Sequence, residues 1–248
     1  VNKIRISAVS YTNTKPFIYG LQHSGMPGKI ELSLDNPTDC AQKLIDDVVD
    51  IGLIPVAATL SLPKWDIVSD YCIGSVGAVN SVFVFSNCDI REATVLQLDP
   101  QSRTSNSLAK VLVKYFWKAD QLQFVDNASD YAESADPNTA YVQIGDRTFG
   151  KKDKYSFVYD LGAEWQKFTG LPFVFAAWIA NKAIPVNFMA EFNQALKYGL
   201  DHRRELLKEL APRTDFDLDD YLMHKLDFEL NDEKKEALCL FLEYLKSL

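Results

Sequence analysis

The sequence predicts an α/β protein of two lobes, a clamshell that closes on one cleft, with two crossover hinge strands joining the lobes. Three observations predict it. Strand-like and helix-like runs alternate from residue 3 onward, and a smaller set of the same kind begins near residue 90. No low-complexity linker separates the two sets. Two apolar runs rich in β-branched and aromatic residues, "SVFVFSN" and "PFVFAAWIAN", stand where the chain would pass between lobes and back. The expected division is residues 1–85 with 175–248 in the first lobe and 86–174 in the second.

The elements follow in order. Ile4, Ile6 and Ala8 alternate with polar residues, as do Ile30, Leu32 and Leu34, so two half-buried strands are expected with a short helix or turn between them. After Asn36-Pro37, Thr38 and Asp39 are expected to cap a helix through "CAQKLIDDVV", and "DIGLIPVA" reads as a buried parallel strand ending at Pro55. "DIVSDYCIG" and "AVNSVFVFS" are further strands. In the second set "ATVLQLD", "LQFVD" and "TAYVQIG" are strand-like and "SNSLAKVLVKYFW" is helical. The chain closes on amphipathic helices with Phe188, Phe192, Leu196 and Leu200 on one stripe and Leu238, Phe241, Leu242 and Leu245 on another.

Composition narrows the function. With 248 residues and 47% apolar content the chain can bury a large core. No run of 18 apolar residues exists, and "VNKIRISAVS" turns polar too early for a signal-peptide core, so a cytoplasmic protein is expected. Net charge −8 argues against nucleic acid or an anionic membrane as partner. The acid excess is concentrated in the C-terminal third, where "DFDLDDYL" and "NDEKKEALCLFLEYL" read as solvated helix faces. Cys40, Cys72, Cys88 and Cys239 lack CxxC spacing and are expected as buried free thiols. Phosphate-loop, dinucleotide, nucleophile-elbow and HExxH motifs are absent, and His23, His202 and His224 fall away from strand ends.

In open α/β sheets ligands bind beyond the carboxyl ends of the strands, and three polar clusters fall there. The first is Ser10, Tyr11, Thr12, Asn13 and Thr14, five hydrogen-bonding side chains directly after the first strand. The second is "LDPQSRTSNSL", where Ser102, Arg103, Thr104 and Ser105 open a helix: hydroxyls, free amides and a guanidinium form a carboxylate or phosphate site. The third is "QIGDRTF", where Gly145 permits close backbone approach beside Asp146. Each has a plainer reading: the hydroxyls at 102 to 105 as helix caps, Asn13 as a turn residue, Asp146 as a capping or lobe-bridging acid. Their joint placement after strands of both lobes favours one shared site.

"SYTNTKPF", "IGLIPVA", "IGSVGAVNSVFVFS", "LDPQSRTSNSL", "YVQIGD" and "YDLGAEWQKFTGLPFVFAAW" occur in this order along nearly the whole chain. In these six motifs the sequence resembles the chorismate dehydratases of the futalosine route to menaquinone. The resemblance implies a type 2 periplasmic-binding-protein fold and removal of water from chorismate to give 3-[(1-carboxyvinyl)oxy]benzoate. It implies catalytic roles for Asn13 and Ser81 beside the reacting ring. Ser10, Tyr11, Thr14, Ser102, Arg103, Thr104, Ser105, Gly145 and Asp146 are expected to bind the substrate. No metal or cofactor is expected, the only partner is the small-molecule substrate, and the chain is expected as a monomer or homodimer. The sequence departs from the family pattern at Thr12, Arg147 and Thr148, where apolar or small residues are usual. The alternatives are a binding protein for a small carboxylate and the related dihydroxynaphthoate synthase, from which "SYTNTKPF" sets this chain apart.

Overall fold

A computed structural model describes residues 3–126 and 136–248. The chain begins with β1 (Ile4–Val9), α1 (Lys15–His23), β2 (Ile30–Asp35), α2 (Pro37–Ile45), β3 (Ile51–Pro55) and β4 (Asp66–Ser75). It continues through β5 (Val82–Ser86), β6 (Val95–Gln97), α3 (Arg103–Val111), β7 (Gln123–Val125), β8 (Thr139–Ile144), β9 (Phe157–Asp160) and α4 (Leu161–Thr169). It ends with β10 (Phe173–Ala180), α5 (Val186–Asp201), α6 (Arg203–Glu209), α7 (Leu218–Asp220), β11 (Asp227–Glu229) and α8 (Asp232–Lys246). Among the described residues the strands form two sheets, a six-stranded one ordered β11-β4-β10-β3-β1-β2 and a five-stranded one ordered β7-β6-β8-β5-β9. Each sheet is the floor of one lobe.

Both sheets are built alike. β1 pairs parallel with β2 and β3, and β6 pairs parallel with β7 and β8. Each then receives one interior antiparallel strand directly after a crossing: β10 between β3 and β4, β5 between β8 and β9. The crossings are therefore the short segments 76–81 and 170–172. This corrects the boundary expected at residue 85, because "SVFVFSN" lies inside the second sheet, its strand fully buried and paired on both edges. The return run "PFVFAAWIAN" is likewise an interior strand of the first sheet.

Local chemistry explains the elements. β3 is buried along its whole length because neighbours flank it on both edges, whereas β2 forms the sheet margin and leaves Leu34 half exposed. α2 starts earlier than Thr38 and Asp39 would have set it: the Asn36 side chain accepts from the Asp39 amide (2.9 Å) and Pro37 occupies the first turn. Trp178 of β10 lies edge-on to Phe17 of α1 (5.8 Å) and to Phe192 of α5 (5.0 Å), which fixes both helices on the first sheet. Replacing so central a ring by Ala would cost about 3–5 kcal/mol.

α1 and α5 also touch backbone to backbone. A Cβ on Gly20 would lie 2.0 Å from the Ala195 carbonyl oxygen, and one on Gly199 would lie 1.8 Å from that of Pro16. Only glycine fits either position, and the contact pins the helix that carries the polar stretch after β1. The four cysteines are free, but only Cys40 and Cys72 are buried as expected; Cys88 is intermediate and Cys239 exposed. Among the described residues no helix is long and apolar enough to cross a membrane.

Candidate active site between the lobes

Both sheets direct chain segments at the gap between them, and the crossing 76–81 is the best anchored of these. The half-buried Asp160, which caps α4, accepts through its carboxylate from the amides of Gly162 (3.0 Å) and Ala163 (3.2 Å) and, across the crossing, from Val79 (3.0 Å) and Asn80 (2.7 Å). Burial pushes the Asp160 carboxyl up while these amides pull it down. Asn80 takes a left-handed φ of 64°, which sets the direction of Ser81. The Ser81 carbonyl accepts from the Gly145 amide (2.8 Å), and its hydroxyl accepts from the hydroxyl of Tyr221 (2.7 Å).

From the first lobe, Thr12 to Thr14 form a 3₁₀ turn that runs directly into α1, whose second residue is Pro16. The Thr14 hydroxyl donates to the Asn13 amide oxygen (3.1 Å). From the second lobe, Ser102 caps α3 by accepting from the Ser105 amide (3.1 Å), and the Thr104 hydroxyl accepts across the cleft from the Ala57 amide (3.1 Å). Gly145, at φ 65°, lies against the Tyr11 ring: a Cβ there would sit 2.8 Å from two ring carbons.

Two further side chains, Asp146 and Tyr11, tie the jaws together. The Asp146 carboxylate accepts from the Thr12 amide (3.1 and 3.3 Å) and hydroxyl (2.9 Å), and the Tyr11 hydroxyl donates to Gln101. Arg147 donates to the fully buried Asp99 carboxylate (2.8 and 2.6 Å), which also accepts from the amides of Gln101 and Ile144. Thr148 donates to the Gly145 carbonyl (2.8 Å). The three departures from the family pattern are thus partnered: Thr12 with Asp146, Arg147 with Asp99, Thr148 with its own turn.

The cavity so enclosed measures about 60 Å³. Tyr11, Asn13, Thr14, Ser81, Ser102, Thr104, Ser105 and Gly145 line it together with apolar residues from both sheets, among them Val9, Ile73, Ile144 and Phe175. None of these lining side chains is charged at neutral pH, and burial raises Tyr11 above the usual phenol range. Three expected residues lie elsewhere. Ser10 is exposed and borders an outer groove with Lys15 and Tyr19. Arg103 does not line the cavity, although Ser102, Thr104 and Ser105 around it do. Asp146 is engaged by Thr12.

Tyr221 was not anticipated. "DFDLDDYL" reads as a solvated face, yet Tyr221 and Leu222 are completely buried. Burial pushes the Tyr221 phenol well above its usual range, so it stays protonated as a donor. Its ring is held edge-on to Phe149 (5.6 Å) and Phe216 (5.2 Å). Among the described residues no group of three His, Cys, Asp or Glu side chains is placed to hold a metal ion.

A family model described as menaquinone biosynthesis matches residues 4–247. The chain belongs to the menaquinone biosynthesis family. A curated relative of this family member, the chorismate dehydratase of Campylobacter jejuni subsp. jejuni, is 31% identical over 157 residues. That match spans 60% of this chain and 58% of the relative's length. Among solved structures, protein AF1704 from Archaeoglobus fulgidus matches with a TM-score of 0.74 at 16% identity, covering 99% of this chain and 97% of that one. The periplasmic aliphatic sulphonate binding protein SsuA from Escherichia coli matches with a TM-score of 0.60 at 15% identity, over 100% and 91%. A Candida albicans gene product described as having the generic periplasmic binding protein fold matches with a TM-score of 0.64 at 12% identity, over 100% and 91%. The menaquinone-biosynthesis chain therefore has the two-lobe periplasmic-binding-protein fold expected from its sequence.

Proposed function

We propose that this protein is a chorismate dehydratase acting in the futalosine-dependent route to menaquinone. The observation that carries the reading is the meeting of Asn13 and Ser81, from opposite ends of the cleft wall, on one uncharged cavity. In the reaction the C–H bond at the ether-bearing ring carbon breaks and its electron pair becomes a ring double bond. The neighbouring C–O bond breaks, and the departing hydroxide takes a proton and leaves as water. The ring becomes aromatic, so the step runs downhill once the substrate is held in an eliminating geometry.

The cavity suits such a step. Asn13 and Ser81 are donors for the departing oxygen, and the N-terminus of the nine-residue α3 offers a positive dipole end to a substrate carboxylate in the absence of a lining cation. No lining side chain is a base of ordinary strength near neutral pH, so we assign proton acceptance to the substrate's own enolpyruvyl carboxylate. The hydrogen bonds between the jaws must open to admit the ligand and re-form over it.

The test is incubation of purified protein with chorismate, followed by ultraviolet spectroscopy and mass analysis of the product. Loss of chorismate with appearance of an aromatic acid lighter by one water is the expected result. Binding without conversion would replace the reading by that of a carboxylate-binding receptor.

A further inference from the structure

We propose that Tyr221 is the positioning residue that aims the Ser81 hydroxyl proton into the cavity, an inference that rests on the dehydratase reading. Serine carries one proton and accepts through its oxygen lone pairs. The Tyr221 hydroxyl donates to Ser81 Oγ at 2.7 Å, so the proton of Ser81 is directed elsewhere, and the cavity is the open side. Asn13 lines the same cavity, and its amide oxygen already accepts from Thr14. Two hydrogen-bonded pairs, Tyr221 with Ser81 and Thr14 with Asn13, thus orient the polar atoms that meet whatever the cavity holds.

A Ser81 hydroxyl so aimed favours an acceptor that gains negative charge, as the departing hydroxyl does. Tyr221 keeps its proton in this role. Ser81 and Asn13 stay in contact with the substrate, while Tyr221 acts through Ser81. Phe149 and Phe216 fix the ring edge-on, so the phenol oxygen has little freedom to leave the line. The lobes contribute unequally: Tyr221 comes from the C-terminal segment, 140 residues from Ser81 in sequence.

A double-mutant cycle tests this. Tyr221→Phe keeps the ring and removes only the hydroxyl; it is expected to lower kcat about 10- to 100-fold with KM changed less than about 3-fold. In the Ser81→Ala background the same substitution should cost less than about 3-fold, because the group it aims is already gone. Equal losses in both backgrounds would mean that the hydroxyl serves only packing, and would overturn the inference. Wild-type protein that binds chorismate without converting it would remove the dehydratase reading, whereas additive kcat losses in an enzyme that does convert it would overturn only the role of Tyr221.

Discussion

The two jaws of the cleft carry polar stretches of similar make-up after their strands, and they use them differently. In the second jaw the hydroxyls of Ser102 and Thr104 accept from backbone amides, one in their own helix and one across the gap. In the first jaw the Thr12 amide is served from the opposite lobe by Asp146, which leaves Asn13 and Thr14 to bind each other and face the cavity. The difference teaches that amides at a chain reversal take the nearest oxygen first. A side chain remains for a ligand where another group has already satisfied those amides.

Asn13 is where the comparison breaks most sharply. Asn13→Asp and Asn13→Ala should each lower turnover by about 100-fold or more, because both remove the amide donor. Asp should also bind an anionic substrate more weakly than Ala through like-charge repulsion in a closed cleft. Thermal melting measured beside turnover decides the matter: near-normal turnover with a lowered Tm would return Asn13 to the role of turn residue. Next in size is Asp146→Ala, which removes the charge-assisted bonds to Thr12, each of the kind that contributes about 1.5–3 kcal/mol. The closed form should lose population, read as a roughly tenfold higher Kd and less compaction on ligand addition by small-angle scattering.

Ser102→Ala should act mainly on stability, by about 1 kcal/mol in chemical denaturation, since the residue is a helix cap before it is a ligand contact. A large loss of affinity at unchanged stability would show that the jaws are more alike than their hydrogen bonds indicate. Arg103→Ala should change stability by less than about 0.5 kcal/mol and leave Kd nearly unaltered, because the guanidinium does not line the cavity. The smallest expected effect is that of pH: with no lining group titrating near neutrality, kcat should be flat from about pH 6 to 9. A limb with its midpoint inside that window would identify a protein base.

The sequence carried the α/β alternation plainly, since periods of two and of 3.6 residues mark strands and helices without reference to partners. In the stripe of Phe188, Phe192, Leu196 and Leu200 the first three are buried and Leu200 partly so. Asn13 and the hydroxyls of α3 stood out because they follow strand ends, whereas Ser81 was expected only from the family resemblance. Tyr221 was not, because its stretch shows acidic neighbours and no strand end, and its partner lies far away in the chain. The orientation of Arg103 depends on how α3 meets the sheet, and the engagement of Asp146 depends on the approach of the other lobe. Neither has a local signal.

The place of β10 between β3 and β4 bears on how the chain is made. Sheet neighbours in the first lobe are separated by the entire second lobe, so during synthesis β3 and β4 emerge with the space between them empty. At about 5–20 residues per second, the roughly one hundred residues from the end of β4 to the start of β10 impose a wait of about 5–20 s. The second lobe lies within one continuous stretch and can assemble in that interval, while the exposed edges of β3 and β4 invite pairing with other chains. Nascent chains stalled before residue 173 should therefore be rich in protease-resistant second lobe and recruit chaperones through the first.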